Sequence, residues 1–147
     1  MKEFEKDYAA YEDIKADYDN AELDKDEPGM EKARADYKAW AEGIEAKGED
    51  YARIFKLYKD ERTVGNSRID LSQPSDTRDV KGLIETFRKF GITEFTFSSG
   101  WSSAIEDSWE FIQNGCELAG MVEINTNCKA WMSDEYEKAP AYLFRIA

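Results

Sequence analysis

The amino-acid sequence predicts an α+β protein, in which an N-terminal antiparallel αα-hairpin precedes a small two-layer α/β sandwich with a mixed sheet of three to four strands. Three observations support this prediction. Apolar residues recur every three or four positions over roughly the first 60 residues, as they do on one face of a helix. Loop-like segments then break the pattern. After them, helical periods alternate with short runs of alternating apolar and polar residues, which are typical of strands covered on one face.

The predicted hairpin consists of two amphipathic helices. Residues 2–22 form the first helix, and a second begins at about residue 30, after the turn signal Pro28-Gly29. We expect the apolar stripes of the two helices to face each other. The stripes comprise Phe4, Tyr8, Tyr11, Ile14 and Tyr18 in the first helix, and Met30, Ala33, Tyr37, Trp40, Ala41 and Ile44 in the second. Gly48 interrupts the pattern, which resumes either as a kinked continuation or as a third short helix. The resumed stripe comprises Tyr51, Ile54, Phe55 and Tyr58.

Residues 61–76 form the predicted boundary between the helical and the α/β part of the chain. They contain two polar, loop-like stretches with a short strand between them at residues 68–71. The helical hairpin region therefore spans residues 1–60, and the small α/β domain spans residues 61–147.

Two helices are predicted within the α/β domain. The first starts at a cap formed by Ser75 or Asp76 and ends at Gly91. The second starts at Ser103, which opens a capping box, and stops at Gly115. The expected buried faces comprise Val80, Leu83, Ile84 and Phe87 in the first helix, and Ile105, Trp109 and Ile112 in the second.

Three longer strands are predicted around these helices, at residues 92–98, 118–124 and 141–146. The first two are joined by a helix, so we expect them to be parallel with a right-handed crossover. Residues 125–139 are predicted to be a polar connection with some helical character. One face of the sheet is expected to be covered by helices. The other face is expected to present Glu94, Thr96, Glu117, Glu123 and Arg145.

Negative charge is concentrated at the two ends of the chain. The formal net charge is −12, of which residues 1–29 contribute −7 and residues 101–147 contribute −5. Residues 30–60 and residues 61–100 are each neutral overall. A negative electrostatic field attracts basic partners and repels nucleic acid and anionic lipid. The sequence therefore predicts a protein that binds another, basic protein, with no direct contact to nucleic acid or membrane.

The absence of histidine restricts the available chemistry. There is no imidazole base, no Ser-His or Cys-His dyad and no histidine metal ligand. Cys116 and Cys128 alone cannot complete a zinc site with four nitrogen or sulfur ligands. Both are expected to be reduced, with a disulfide as the alternative, and Cys116 is expected to be inert. We therefore predict no catalytic residue, no cofactor and no metal. The chain begins without an apolar run and has no stretch of about 20 apolar residues, so a cytoplasmic protein is expected.

The first helix carries the main candidate binding surface, which we call the acidic surface: Glu5, Glu12, Asp13, Asp17 and Asp19. Glu5, Glu12 and Asp19 are seven residues apart and therefore line up at intervals of about 10 Å. Asp13 and Asp17 lie on another side of the helix. Such a rod of carboxylates can imitate nucleic-acid phosphates or dock into a groove of Arg and Lys side chains. The alternative is a solvated helix face that keeps the protein soluble.

A second acidic block provides secondary candidates for partner binding, namely Glu106, Asp107, Glu110 and the adjacent Trp101. Two carboxylates on facing elements can hold a hard cation such as Mg²⁺, although no EF-hand loop is present. The serine-rich residues 98–103 join a strand end to a helix start, where backbone N–H groups can hold a phosphate. We favour the alternative for this segment, a tight turn with a helix cap.

A series of short segments carries a resemblance to known proteins. The segments are Gly91–Ser99, Trp101–Ala104, Asn114–Cys116, Val122–Asn125, Met132–Ala139 and Tyr142–Ile146, together with Tyr51–Phe55. With the acidic N-terminal helices, they resemble a family of small, uncharacterised acidic proteins encoded on mobile elements of Gram-positive gut bacteria, conjugative and phage-like. The resemblance covers most of the chain and brings no catalytic motif. It implies a setting in which small acidic proteins often inhibit host defence, as anti-CRISPR proteins and DNA mimics do.

Three hypotheses of function follow from the sequence. The first is a non-enzymatic inhibitor whose acidic surface blocks a basic nucleic-acid channel, such as that of a Cas nuclease. The second is a regulatory or adaptor module that uses the aromatic hairpin, with Tyr11 and Trp40 in the contact and self-association as one form of binding. The third is an enzyme that uses Asp or Glu side chains with Mg²⁺.

Overall fold

The computed structural model describes residues 2–147 and begins with the predicted antiparallel hairpin. Its helices are α1 (Lys2–Leu23) and α2 (Glu27–Ala46). The indole N–H of Trp40 donates to the backbone oxygen of Asp7 at 3.0 Å, and Arg34 donates to the hydroxyl of Tyr18 at 3.4 Å. Because the earlier residue of α1 pairs with the later residue of α2, the two helices are antiparallel.

The start of α2 differs from the prediction. The helix begins at Glu27, so Pro28 and Gly29 lie in its first turn rather than in the preceding loop. The side chain of Asp26 caps the helix by accepting from the backbone N–H of Gly29 at 3.1 Å. Proline is tolerated in the first turn because the N–H that it lacks has no partner within the helix.

A separate third helix, α3 (Glu49–Thr63), follows the hairpin. Gly48 lies between α2 and α3 with a φ of +112°, a backbone conformation that glycine adopts without strain, and this residue separates the two helices. The third helix is thus observed, rather than a kinked continuation of the second. The chain divides into two compact units, Met1–Phe55 and Lys56–Ala147, and this division falls within α3. The predicted boundary after residue 60 lies in the same helix.

The second unit contains the predicted mixed sheet, with four strands in the order β1-β2-β4-β3. The strands are β1 (Asp70–Leu71), β2 (Glu94–Phe97), β3 (Cys116–Lys129) and β4 (Tyr136–Ile146). β1 and β2 are parallel, and the other two pairs are antiparallel. The α+β class with a mixed sheet is therefore confirmed.

The connection predicted at residues 125–139 is wrong. Most of this segment forms the two arms of a long β3–β4 hairpin, in which Asn125 pairs with Lys138 and Lys129 pairs with Tyr136. β4 returns between β2 and β3, so these two strands run in the same direction, as predicted, but are not neighbours. Polar residues fit this hairpin because its outer part is largely exposed to water.

A β-bulge changes which face of the sheet Glu123 occupies. Leu118 is opposite Phe144 whereas Gly120 is opposite Leu143, so one extra residue is accommodated in β3. Each later residue of β3 is then moved to the other face. Glu123 is opposite Pro140, on the same face as Met121, and not on the face of Glu94, Glu117 and Arg145 as predicted.

Thr96 lies on the predicted polar face, together with Glu94 and Arg145, but it does not reach solvent. It is buried, and its hydroxyl donates to a carboxylate oxygen of Asp70 at 2.6 Å. Ser98 donates to the other oxygen of the same carboxylate. The two hydroxyls satisfy the buried carboxylate, which explains how polar side chains are accommodated in the interior here.

The helix α4 (Val80–Lys89) is capped by Asp79 rather than by Ser75 or Asp76. Asp79 accepts from the N–H of Gly82 at 3.1 Å, whereas Asp76 belongs to a 3₁₀ turn, Pro74–Thr77. Asp76 accepts instead from the N–H groups of Ser72 and Gln73. The predicted buried face of the helix is confirmed, with Val80, Leu83, Ile84 and Phe87.

The helix α5 (Ala104–Gln113) buries a different face from the predicted one. Ile105, Trp109 and Ile112 are 84%, 59% and 41% exposed. The inward residue is Phe111, whose ring centroid lies 5.0 Å from that of Phe95, with further ring contacts to Phe97 and Phe144. Ser103 does not form the predicted capping box, because its side chain makes no cap hydrogen bond.

Candidate protein-interaction surfaces

The acidic surface is exposed along α1. Each of its five residues is exposed to water, and the helix as a whole carries eight acidic and three basic side chains. At about 100° per residue, Glu5, Glu12 and Asp19 fall within about 40° of one another around the helix axis. Asp13 and Asp17 form a second row about 120° away. The surface therefore consists of two rows of carboxylates on the side of α1 that faces away from its buried stripe.

The carboxylates of the acidic surface have no partner within the described chain. Among residues 2–147, none of the five takes part in an ion pair or a side-chain hydrogen bond. Other acids of α1 are engaged, since Lys47 contacts Glu3 at 3.0 Å and Asp7 at 2.6 Å. Burial lowers the pKa of Lys47, but hydrogen bonds to Asp7 and Glu3 outweigh it and leave the pKa raised. The hydroxyl of Tyr51 also donates to Asp7, and its pKa is raised by burial and by this bond.

The hairpin aromatics largely pack on one another. The ring of Tyr11 lies 5.9 Å from that of Tyr8 and 5.4 Å from that of Trp40. Trp40 in turn meets Phe55 edge-on at 5.7 Å. Tyr37 also packs on Trp40, with ring centroids 5.6 Å apart, but it is 44% exposed and lines a shallow cleft of about 260 Å³. Most of the aromatic stripe thus stabilises the hairpin itself.

Three of the four secondary candidates around α5 lie at the surface, and one is buried. Glu106, Glu110 and Trp101 are exposed. Asp107 is buried, and its carboxylate accepts from Ser103 at 3.2 Å and from Thr77 at 3.1 Å. It belongs to the interior of the unit rather than to a contact surface.

The serine-rich segment before α5 uses its hydroxyls for contacts within the chain. Ser98 donates to Asp70, and Ser99 accepts from the N–H of Trp101 at 3.3 Å. Ser103 donates to the carboxylate of Asp107, so a negative charge lies beside this helix start. These contacts favour the tight-turn interpretation over a phosphate site.

A set of exposed apolar side chains forms a surface that we call the apolar face. Its residues are Trp101, Ile105, Trp109, Ile112, Leu118, Met121 and Tyr142. Part of the set lines a groove of about 440 Å³ between α5 and the β3–β4 hairpin. This surface was not predicted from the sequence, because the apolar stripe of α5 was expected to be buried in the core. The sequence offered one indication of this surface, since α5 contains more apolar residues than a single buried stripe needs.

Two carboxyl groups in the second unit have shifted pKa values. Burial raises the pKa of Glu61 to about 7, and the nearby carboxyl group of Asp70 also raises it. A hydrogen bond from Asn66 opposes this shift by lowering the pKa. Burial also raises the pKa of Asp70, while the bonds from Ser98 and Thr96 lower it. No group of three or more potential metal ligands occurs within residues 2–147.

The two cysteines are free thiols in different environments. Cys116 is buried, and burial raises the pKa of its thiol to about 11, with a smaller opposing effect of Arg88. Cys128 is exposed on the β3–β4 hairpin. The two sulfur atoms are not bonded to each other in the structure, and their reduced state in the cell stays a prediction.

The fold and these surfaces define an α+β protein with an acidic helical hairpin and an exposed apolar face, and none of its helices in residues 2–147 has the length and apolar character needed to cross a membrane. Residues 53–146 match a family described as a domain of unknown function, DUF7698. Because this match covers more than half of the chain, the protein belongs to that family. Comparisons with curated proteins and with solved structures give no match. The matched segment includes the whole sheet and excludes α1 and α2.

Proposed function

We propose that this protein is a non-enzymatic inhibitor that binds a basic, nucleic-acid-handling protein through its acidic surface. One observation carries the proposal. Five carboxylates are exposed on one helix and have no partner within residues 2–147, although Lys47 pairs with two other acids of that helix. Unpaired like charges repel one another and oppose folding, and a basic partner relieves that repulsion on binding.

The spacing of the carboxylates supports imitation of a phosphate backbone. Glu5, Glu12 and Asp19 repeat every seven residues, which corresponds to about 10.5 Å along the helix. Phosphates of one DNA strand advance by about 3.4 Å each along the helix axis, so one repeat of the carboxylates spans the axial distance of about three phosphates. The second row, Asp13 and Asp17, adds charge on a neighbouring side. Arg and Lys side chains that line a nucleic-acid channel are the natural partners of such an array.

The proposed setting is a mobile genetic element whose product acts against a bacterial defence protein, in the manner of an anti-CRISPR protein. A Cas-type nuclease holds its guide–target duplex in a positively charged channel. Occupation of that channel by the acidic surface blocks access of nucleic acid by charge competition. Binding of this kind weakens as salt increases, since the Debye length falls from about 10 Å at 0.1 M to about 3 Å at 1 M.

The adaptor hypothesis has less support. It assigns the contact to Tyr11 and Trp40, and both rings are engaged in packing within the hairpin. The indole N–H of Trp40 is also bonded to the backbone of Asp7. Tyr37 alone offers a large exposed ring on this hairpin.

The test compares the wild-type chain with a charge-reversed variant, Glu5→Lys, Glu12→Lys, Asp13→Lys, Asp17→Lys and Asp19→Lys. Each tagged protein is used to capture partners from a lysate of a defence-competent bacterium, with washes at low and at high salt and mass spectrometry of the retained proteins. We expect the wild type to retain a basic nucleic-acid-binding protein at low salt and to lose it at high salt. The purified partner should then release labelled duplex DNA when the wild-type chain is added.

A matched control separates the acidic surface from total charge. Five other exposed acids are reversed to Lys, which gives the same change in net charge. These are Glu42, Glu45, Glu85, Asp134 and Glu137. The control should bind the partner far better than the reversed acidic surface does. Equal binding by the wild type and the reversed acidic surface, with both variants folded by circular dichroism, would refute the proposal.

A further inference from the structure

The apolar face combines an exposed stripe of α5 with the groove beside it. Ile105, Trp109 and Ile112 follow one another along one stripe of α5, at spacings of four and three residues. Ile105 also lines the groove together with Leu118, Met121 and Tyr142 from the hairpin. Scattered apolar residues are normal on a protein surface, but a continuous patch with a groove marks a site of interaction.

The shape of this surface fits a helix. A stripe with spacings of four and three residues is the pattern by which one helix packs against another. The groove beside it is bounded by α5 on one side and by the sheet on the other, and its walls are mainly apolar side chains. An amphipathic helix that lies in such a groove buries its own apolar stripe against both walls.

The edges of the apolar face are acidic. Glu106 and Glu110 lie next to the apolar stripe on α5, and Glu123 lies on the same face of the sheet as Met121. All three carboxylates are exposed. A partner with basic side chains beside its apolar stripe is favoured there, because charges of opposite sign at the rim steer association and suppress wrong partners.

The basic residues of the C-terminal segment offset this rim only on its sheet side. Residues 101–147 contain three bases, Lys129, Lys138 and Arg145. Lys138 donates to the side chain of Asn125 and lies on the same sheet face as Glu123, so that edge carries both signs of charge. Lys129 lies over the ring of Tyr136, and Arg145 occupies the opposite face of the sheet. The acidic edge on α5 therefore disfavours a second copy of this chain, which brings the same acids, and it disfavours anionic lipid.

We infer that the apolar face binds an amphipathic helix of another protein that carries Lys or Arg beside its apolar stripe, on the side that meets Glu106 and Glu110 of α5. The inference is independent of the proposed function, because it involves the second unit and none of the carboxylates of α1. The side chains of Ile105 and Trp109 are the central anchors. Glu106 and Glu110 select the charge of the partner.

The test titrates the full chain with synthetic helical peptides that share one Leu stripe and differ only in their flanking residues, which are Lys in one peptide and Glu in the other. Binding is measured by fluorescence anisotropy of the labelled peptides. We expect the Lys peptide to bind at least about tenfold more tightly than the Glu peptide. The double variant Ile105→Ser/Trp109→Ser should weaken binding of the Lys peptide at least about tenfold.

Two controls show whether the peptide occupies this site. The variant Trp131→Ser/Met132→Ser removes two apolar side chains that are 88% and 85% exposed at the tip of the β3–β4 hairpin, and it should bind the Lys peptide as the wild type does. The charge-reversed α1 variant should do the same. Loss of binding in the α1 variant would mean that the peptide associates with the acidic surface, and the inference would then fail without affecting the proposed function.

Other outcomes also overturn the inference. Failure of the Lys peptide to bind, or equal binding of both peptides, contradicts the basic amphipathic partner. Sedimentation of the wild type as a dimer that Ile105→Ser/Trp109→Ser converts to a monomer assigns the face to a second copy. Binding to phosphatidylglycerol vesicles that the same double variant abolishes assigns it to a lipid surface.

Discussion

The carboxyl groups of this protein occupy three kinds of environment. Some are paired with a base, as the half-buried Asp7 is with Lys47. Asp70 and Asp107 are buried, and each accepts hydrogen bonds from two hydroxyl groups. Those of the acidic surface are exposed and unpaired within residues 2–147. Within the described chain, no buried side-chain nitrogen or oxygen lacks a hydrogen-bond partner. The interior polar groups therefore serve the fold, and the unpaired surface charges are available to a partner.

Glu61 should make stability depend on pH near neutrality. Its pKa is raised from 4.5 to about 7 in the folded protein, so the folded state binds this proton more tightly than the unfolded state. The resulting stabilisation is complete below about pH 4.5 and is lost as pH rises through about 7. We expect the free energy of unfolding to decrease between pH 5 and pH 8 by on the order of 1 kcal/mol, because the partly exposed carboxyl remains screened by water.

The variant Glu61→Gln should flatten this pH dependence, since its amide does not titrate and its side-chain oxygen can still accept from Asn66, which donates to Glu61 at 2.7 Å. Urea unfolding between pH 5 and pH 8 measures the effect. The control Glu85→Gln, at an exposed position of α4, should keep the slope of the wild type. An unchanged slope in Glu61→Gln would show that another group, such as Asp70, dominates the pH dependence.

At the scale of secondary structure, helix starts depend on single side chains. Asp26 caps α2 and Asp79 caps α4, and each accepts from the backbone N–H three residues later. A cap of this kind satisfies one of the N–H groups that have no partner at the start of a helix. The side chain thereby determines the residue at which the helix begins.

Replacement of Asp26 by Ala should destabilise the hairpin. The change removes the bond to the N–H of Gly29, and loss of such a cap costs about 1 kcal/mol, or a decrease in Tm of about 3 °C. Thermal unfolding followed by circular dichroism measures it. The control Asp24→Ala removes an exposed acid from the same turn without removing a cap, and its Tm should match the wild type. Equal Tm values for both variants would contradict the capping role of Asp26.

For the whole molecule, acidic side chains outnumber basic ones by 32 to 20. Lys47 forms ion pairs with Glu3 and Asp7, but the five carboxylates of the acidic surface form none among residues 2–147. Repulsion among unpaired carboxylates therefore opposes the compact state. Added salt screens that repulsion, which is strongest in low-salt buffer.

We expect Tm to increase when NaCl is raised from about 20 mM to about 300 mM, because the Debye length falls below about 10 Å over this interval. The charge-reversed α1 variant has a formal net charge of −2, ten units above the −12 of the wild type, and its increase should be smaller. Scanning calorimetry at both salt concentrations measures the difference. A Tm that falls with salt would show that the ion pairs outweigh the repulsion.

Local patterns in the sequence were sufficient to predict the α+β class, the hairpin, the buried face of α4 and the position of the short strand β1. They also identified the acidic surface, because a charged side chain on the polar side of an amphipathic helix is exposed. Each of these properties depends on residues close together in the chain. The helix period of 3.6 residues and the strand period of 2 residues therefore indicate these properties in the sequence itself.

Only the tertiary structure decided which stripe of α5 is buried, where β4 lies and which face carries Glu123. α5 has apolar residues on two sides. The side that carries Phe111 is buried, because the Phe111 ring packs in the cluster of Phe95, Phe97 and Phe144. The bulge between Leu118 and Gly120 depends on pairing with β4, whose partner residues are distant in sequence. The apolar face therefore followed from long-range packing, since a periodic pattern shows that a stripe exists but not which neighbour, if any, covers it.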